Sequence, residues 1–258
     1  MTTDYISGER FADLPKTTGL KNLVYCKIDD ANELLKNPPS HDFVLITHNG
    51  DGNITDNPTR PWDADSRLMP DNLKMWFGQN VCVENNRIQS IPIGLENSQW
   101  FPELKKRDTI TKIQKRNYEP VLSNKVYANF NISTNPIERQ LAFDCVKDYA
   151  WCTTDMKTNG ENYNSYVNNL WSHSFVMCPD GNGIDTHRLW ETLYVGTVAI
   201  VKRGVNTLFY RDLPIIFVDN WNEVPNVIFK NEPHIFWNYQ KLTFKYWQDL
   251  IVKTCNTI

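Results

Sequence analysis

Short apolar runs separated by polar connections mark the first half of the chain: Leu23 to Tyr25, Phe43 to Thr47, Val81 to Val83 and Ile91 to Ile93. Runs of this length, bounded by turn-forming residues, predict strands of one sheet. Between them, Ala31 to Lys36 and Asp71 to Phe77 carry helix-compatible spacing, the second behind Pro70 and Asp71 as start signals, so both are predicted as helices. From Lys105 to Glu119 the chain turns to Lys, Arg, Thr, Gln and Asn with few large apolar side chains, and a domain boundary is expected there. A second set follows, with strands predicted at Val126 to Phe130, Ser174 to Cys178, Val198 to Val201 and Ile215 to Val218, and helices beginning at Pro136 and Asp185. Leu242, Tyr246, Leu250 and Ile251 recur at helical spacing, so Tyr239 to Lys253 should dock an apolar face. Strand and helix alternate in both halves, and the expected class is α/β.

The densest chemistry lies between Ser174 and Val201. An apolar run stops at Pro179, Gly181 and Gly183 leave the backbone bare, and a helix begins near Asp185, an arrangement that lets phosphate approach free N–H groups. Arg188 and Glu191 lie three apart and share a helix face, while Leu189 and Leu193 point to a core. Gly196 stands where a helix C-terminal cap is preferred, and Val198 to Val201 reads as a buried parallel strand, giving a βαβ unit. A nucleotide diphosphate needs backbone N–H groups, a cation and a carboxylate for the ribose hydroxyls, and residues Gly181 to Thr186, Arg188 and Glu191 supply these types. Spacing alone equally permits a surface ion pair between Arg188 and Glu191. The loop departs from the G-x-G-x-x-G fingerprint because Thr186 follows, which disfavours a nicotinamide-dependent oxidoreductase.

Composition narrows the partners. The chain has 258 residues, and its 27 Lys+Arg against 30 Asp+Glu give a formal net charge of -3, so no broad grip on nucleic acid or an anionic membrane is expected. No signal-peptide pattern or bilayer-length apolar run is present, and the expectation is a soluble, cytoplasmic protein without a membrane span. The six cysteines, Cys26, Cys82, Cys145, Cys152, Cys178 and Cys255, form no C-x-x-C pair and are expected as buried free thiols rather than zinc ligands or disulfides.

A carboxylate or an imidazole at the end of a strand is a candidate general base. Asp51 and His48 both follow the apolar strand Phe43 to Thr47, at the end where open α/β sheets place their sites, although a polar Asn-Gly, Asp-Gly turn suits the same residues. Arg139, in the helix behind Asn131 to Asn135, is a second cation that, with a helix N-terminus, could neutralise a leaving diphosphate in place of a metal; the alternative is a solvated Arg on an amphipathic helix. Asp63-Ala-Asp65 matches a D-x-D metal motif but follows Thr59-Arg-Pro-Trp62, a poor strand. Trp62, Trp76 and Trp100 fall in the first half of the chain as candidates for stacking on sugar rings, with core packing as the cheaper reading of most of the 9 Trp residues.

From Phe175 to Val201, with Leu213-Pro-Ile-Ile216 beyond, the chain resembles the C-terminal motif of exostosin-type glycosyltransferases: F-x-x-C-P-x-G, a small polar residue and Arg, Glu, then G-x-x-x-x-[IV]. A looser likeness covers Ile46-Thr-His-Asn-Gly-Asp51 and Ile91-Pro-Ile-Gly-Leu-Glu96. The resemblance implies a GT-B fold: two Rossmann-like domains facing a central cleft, residues 1–116 on the acceptor side and 117–238 binding the nucleotide sugar, with 239–258 crossing back to the N-terminal domain. It implies inverting, metal-independent transfer without a cofactor, from a UDP-sugar such as UDP-xylose, UDP-GlcNAc or UDP-glucuronate to a hydroxyl of an oligosaccharide or glycan. Glu191 would take the ribose and Arg188 a phosphate or the ribose, within a donor site of Phe130, Ser133, Asn135, Arg139, Cys178, Pro179, Gly181, Asn182, Gly183, Asp185 and Thr186. Asn49 and Trp62 would lie on the acceptor side, with Asp51 or His48 as base. The sequence contains neither the membrane anchor nor much of the N-terminal region of animal members, so their acceptors are not carried over. The other expectation is a non-catalytic carbohydrate- or nucleotide-binding protein that retains the fold.

Overall fold

The computed structural model describes residues 4–100, 125–155, 163–230 and 238–258. Two parallel sheets organise it. The first takes β1 (Leu23–Lys27), β2 (Phe43–His48), β5 (Leu73–Gly78) and β6 (Ile88–Ser90) in the order β1-β2-β5-β6, and a two-residue pair, β3 (Ile54–Thr55) with β4 (Ala64–Asp65), stands apart. The second takes β7 (Val126–Ala128), β8 (Cys152–Thr154), β9 (Phe175–Met177), β10 (Val198–Lys202) and β11 (Ile215–Val218) in the order β11-β10-β9-β7-β8, again parallel throughout. β2 is buried at every residue, as a strand covered on both faces must be, and its apolar run accounts for that.

Among the described residues the helices are α1 (Gly8–Thr18), α2 (Ala31–Lys36), α3 (Pro136–Asp144), α4 (Tyr163–Ser172), α5 (His187–Tyr194), α6 (Val205–Leu208), α7 (Val224–Lys230) and α8 (Phe244–Cys255). α3 opens on Pro136, whose missing N–H costs nothing at a first helical position. α5 opens on His187 rather than Asp185, because Thr186 stays extended as its N-cap. It closes on a Schellman motif: Gly196 N–H donates to Leu193 O at 3.0 Å, Thr197 N–H donates to Thr192 O at 3.1 Å, and Gly196 sits at φ 75°. A side chain there meets the left-handed penalty, so Gly196→Ala should cost about 1–2 kcal/mol in chemical denaturation. An unchanged midpoint would show that the cap adds nothing.

The structure corrects the sequence reading at several elements. Asp71 to Phe77, read as a helix, is a turn closed by Leu73 N–H on Pro70 O at 3.1 Å, followed by β5. Seven residues cannot separate helix from strand by spacing, and the Leu73, Trp76 and Phe77 side chains find full burial between β2 and β6. Val81 to Val83 yields only a bridge from Val81 to Ile54, because Asn80 at φ 58° turns the chain away. The strand expected at Ile91 to Ile93 pairs three residues earlier as β6, before Pro92 removes a donor. α1, β8 and α4 carried no expectation. The expected boundary in 105–119 lies outside the described residues.

One buried cluster joins Val44, Ile46 and Phe77 of the first sheet to Val176 and Ala199 of the second through Leu189 and Trp190 of α5. α8 docks on the N-terminal side: Phe244 packs edge-on against Phe11 of α1 at 5.1 Å, and Asn22 Nδ2 donates to Cys255 O at 2.8 Å. Cys178 and Cys255 are buried free thiols as expected, whereas Cys82 is exposed. Among the described residues no helix is long and apolar enough to cross a membrane.

Candidate functional site

In the second sheet β7 leads through α3 outward to β8, and β8 leads through α4 back past β7 to β9. The direction of winding reverses between β7 and β9, and the loops leaving their C-terminal ends part there. Such a switch point opens a crevice where doubly wound sheets bind ligands. A cavity of about 590 Å³ occupies it, lined by Asn129, Asn131 and Thr134 after β7, by Gly181, Asn182, Gly183 and Thr186 after β9, and by Arg139, Arg188 and Glu191 from α3 and α5. Asp51, Ile93 and Glu96, beyond the C-terminal ends of β2 and β6, form the facing wall. Both sheets therefore direct their carboxyl ends at one space.

Two guanidiniums enter this space without a carboxylate partner among the described residues. Arg139 is 6% exposed, its Nε donates to Asp180 O and its Nη1 to Asn131 O, each at 2.8 Å, and its Nη2 lies beside Gly181. Burial and then the nearby Arg188 push its pKa down to about 10, so it remains a cation at neutral pH. Arg188 makes no hydrogen bond or ion pair among the described residues, and its Nε is buried without a partner. A cation left in this state is costly in the free protein and is relieved by an anion. Among the described residues the N–H groups of His187 and Arg188, at the start of α5, also lack a backbone partner, and the N-cap Thr186 side chain makes no capping bond.

Glu191 lies one turn further along α5. It accepts from Tyr163 Oη at 3.0 Å and Tyr166 Oη at 2.8 Å, which hold the carboxylate and leave lone pairs toward the cavity. Burial, then the Glu191 charge, keeps the Tyr166 hydroxyl protonated well above the ordinary phenol range. Glu191 and Arg188 line the cavity together but form no ion pair, so the surface-pair alternative does not describe them.

Other expected donor residues serve the scaffold. Asp185 Oδ2 accepts from Ile93 N–H and Oδ1 from Trp190 Nε1, each at 2.8 Å, tying the two sheets together; burial raises its pKa to about 6. Phe130 is fully buried beneath Arg139, its ring 6.0 Å from the guanidinium carbon. Cys178 is buried against Thr192, with its thiol pushed up to about 12 by that burial, and the buried Pro179 ends the strand run. Ser133 is exposed, donates to Asn131 Oδ1 at 2.8 Å and does not line the cavity, although Asn131 does. Asn135 Nδ2 donates to Gly181 O at 3.2 Å, and Gly181 N–H is spent on Gly183 O at 2.9 Å.

On the opposite wall Asp51 lines three adjoining cavities and its carboxylate makes no hydrogen bond to the described protein. His48 is different. It is 1% exposed and stacked on Phe11; Nε2 faces Pro92 O at 3.0 Å, and Nδ1 accepts from Asn49 N–H at 2.8 Å. Burial lowers its pKa to about 4. A ring with both nitrogens engaged and this little basicity is a structural group. Asn49, at φ 60°, spends its side-chain amide on Tyr25 and Asn97. Trp62 is 45% exposed beside Arg60 and lines a cavity of about 460 Å³ next to Asp51.

The D-x-D carboxylates are committed elsewhere. Asp63 accepts from the N–H groups of Asn53, Thr59 and Arg60 and from Arg60 Nε, and these bonds outweigh desolvation to hold its pKa below the ordinary value. Asp65 pairs with Arg67 at 2.7 Å. No group of three or more His, Cys, Asp or Glu placed to hold a metal ion occurs among the described residues.

Sequence reasoning missed residues that the fold brings to the cleft. Arg60 donates to Asn182 O at 2.7 Å and to Asp51 O at 3.0 Å, fixing the glycine loop against the Asp51 loop. His187 Nδ1 lies 2.8 Å from Gly94 O and Nε2 3.2 Å from Glu96 Oε2; desolvation opposes protonation, but Glu96 outweighs it and raises the pKa. No local pattern marks the Arg60–Asn182 and His187–Gly94 pairings, whose partners stand 122 and 93 residues apart. Comparison with protein-family models and with curated proteins finds no match to the chain, so the site's own chemistry carries the functional reading.

Proposed function

We propose that the chain is a glycosyltransferase of the exostosin-like type, built as a GT-B pair of Rossmann-like units, moving a sugar from a nucleotide diphosphate, UDP foremost, to a carbohydrate hydroxyl with inversion. The observation that carries the reading is the pairing, at the switch point between β7 and β9, of Arg139 and an unpartnered Arg188 with the tyrosine-held Glu191. A diphosphate supplies the anion those guanidiniums lack, and a ribose supplies hydroxyl donors for the remaining Glu191 lone pairs. The likeness of Phe175 to Val201 to the exostosin-type motif supports the same assignment.

In this mechanism the diphosphate lies at the N-terminus of α5 between the two guanidiniums, so charge developing on the leaving group meets cations already in place. Asp51 takes the proton of the acceptor hydroxyl as its oxygen attacks the anomeric carbon from the opposite wall. Arg60 positions both loops. Neither Asp63 nor Asp65 takes part, since their oxygens are bonded within their own turn.

A panel of nucleotide sugars with the metal chelated tests the reading: one donor class should bind and be slowly hydrolysed to the nucleoside diphosphate, and faster when an acceptor is present. Binding without turnover across donors and acceptors would replace the enzyme with a non-catalytic binding protein. Failure to bind any nucleotide, or selective binding of NAD(P)H, would remove the reading altogether.

A further inference from the structure

Behind Asp51 a second cavity of about 570 Å³ opens on the side away from the glycine loop, sharing Asp51, Ile93, Glu96 and His187 with the donor cavity. Its charge differs. Among the described residues the donor cavity is lined by Arg139 and Arg188, whereas the second is lined by no arginine and by four carboxylates, Glu9 and Asp13 of α1 with Asp51 and Glu96. Glu9 accepts from Ser98 N–H and Oγ and Glu96 pairs with His187 at 3.2 Å, so the two carboxylates that bear on charge are Asp13 and Asp51, with Lys27 as the further cation among the described lining residues. The carboxylates of Asp13 and Asp51 make no hydrogen bond or ion pair to the described protein. At the mouth Trp100 is 71% exposed, an indole face open to stacking that no core packing explains.

We infer that this second cavity is the acceptor subsite and that it takes uncharged or amine-bearing sugars, stacked on Trp100 and presented to Asp51, while rejecting uronate-bearing or sulfated glycans. The inference rests on the donor reading for the word acceptor, and on the cavity itself for its selectivity. A cavity of this volume holds a sugar residue or two, and the shared Asp51 places any such sugar next to the donor. Each unneutralised carboxylate near the surface is worth a few-fold in preference, screened by salt, so two of them imply about tenfold between a cationic and an anionic sugar of equal length.

The test measures binding directly, by calorimetry or ligand-observed NMR on the full chain at low salt, with three oligosaccharides of equal length: glucosamine-containing, neutral, and glucuronate-containing. The glucosamine oligomer should bind about tenfold more tightly than the glucuronate oligomer, the ratio should shrink on adding salt, and Asp13→Lys should narrow or reverse it. Trp100→Ala should weaken all three by about tenfold while the stabilisation by UDP persists; both substituted residues are exposed, so the fold is not at stake. Equal or tighter binding of the glucuronate oligomer, with UDP stabilisation intact, overturns the inference and leaves the donor reading standing. Oligosaccharide binding indifferent to Trp100→Ala overturns the location. Absence of UDP stabilisation overturns the donor reading and with it the acceptor role.

Discussion

Asp51→Asn is expected to lower the turnover of sugar transfer by about 10² to 10⁴ while leaving UDP binding within twofold, measured by product formation and by nucleotide titration on the same preparation. The size follows from the base's task, since an alcohol attacks well only as its proton leaves. The selectivity follows from placement: the Asp51 carboxylate lies at the junction of three cavities, unbonded to the described protein, whereas the alternative base His48 is buried, engaged at both nitrogens and pushed down to about 4 by burial. Retention of full turnover in Asp51→Asn would move the base elsewhere on that wall, to Glu96 first.

Arg188→Met should separate stability from binding. The Arg188 side chain makes no hydrogen bond in the described protein, and its Nε is buried without a partner, so replacing it with an apolar side chain of similar length removes that cost and gives up only a distant cation–π contact with the Tyr166 ring at 6.0 Å. The free variant should be at least as stable as the parent by denaturant titration. Its affinity for UDP should nevertheless fall about 10- to 100-fold, because one charge-assisted hydrogen bond contributes about 1.5–3 kcal/mol. A less stable variant with unchanged UDP affinity would make Arg188 a structural residue. Free-state cost exchanged for binding is a common feature of functional sites.

The same physics decides how much of the molecule its sequence disclosed. The βαβ unit from Phe175 to Lys202 was legible because a buried parallel strand, a glycine loop and a capped helix each leave a local pattern, and Arg188 and Glu191 shared a face by spacing alone. β5 was not legible: its burial by β2 and β6 is a tertiary fact, and Leu73 to Phe77 fit either period. Arg139 was found from its place in a proline-started helix, although its hold by Asp180 O and Asn131 O depends on two loops meeting. Asp185 looked like a ligand residue because it stands at the loop's end, yet its oxygens are consumed by Ile93 N–H and Trp190 Nε1. Tyr163, Tyr166, Arg60 and the His187–Glu96 pair stayed hidden because each acts through a partner at least 25 residues away.

The central claim is that the cleft between the two sheets holds a nucleoside diphosphate through protein cations and Glu191. Thermal unfolding with UDP in excess chelator tests it most directly. At about 100 times the dissociation constant, binding to the folded state alone contributes about 2.7 kcal/mol, which raises the midpoint of a chain of this size by roughly 5–10 °C. The account predicts that shift for the parent and its near-complete loss in Glu191→Ala, with the UDP-free midpoints of the two compared as the control. Stabilisation that appears only with Mn²⁺, or that survives Glu191→Ala and disappears in Asp63→Ala, would contradict it.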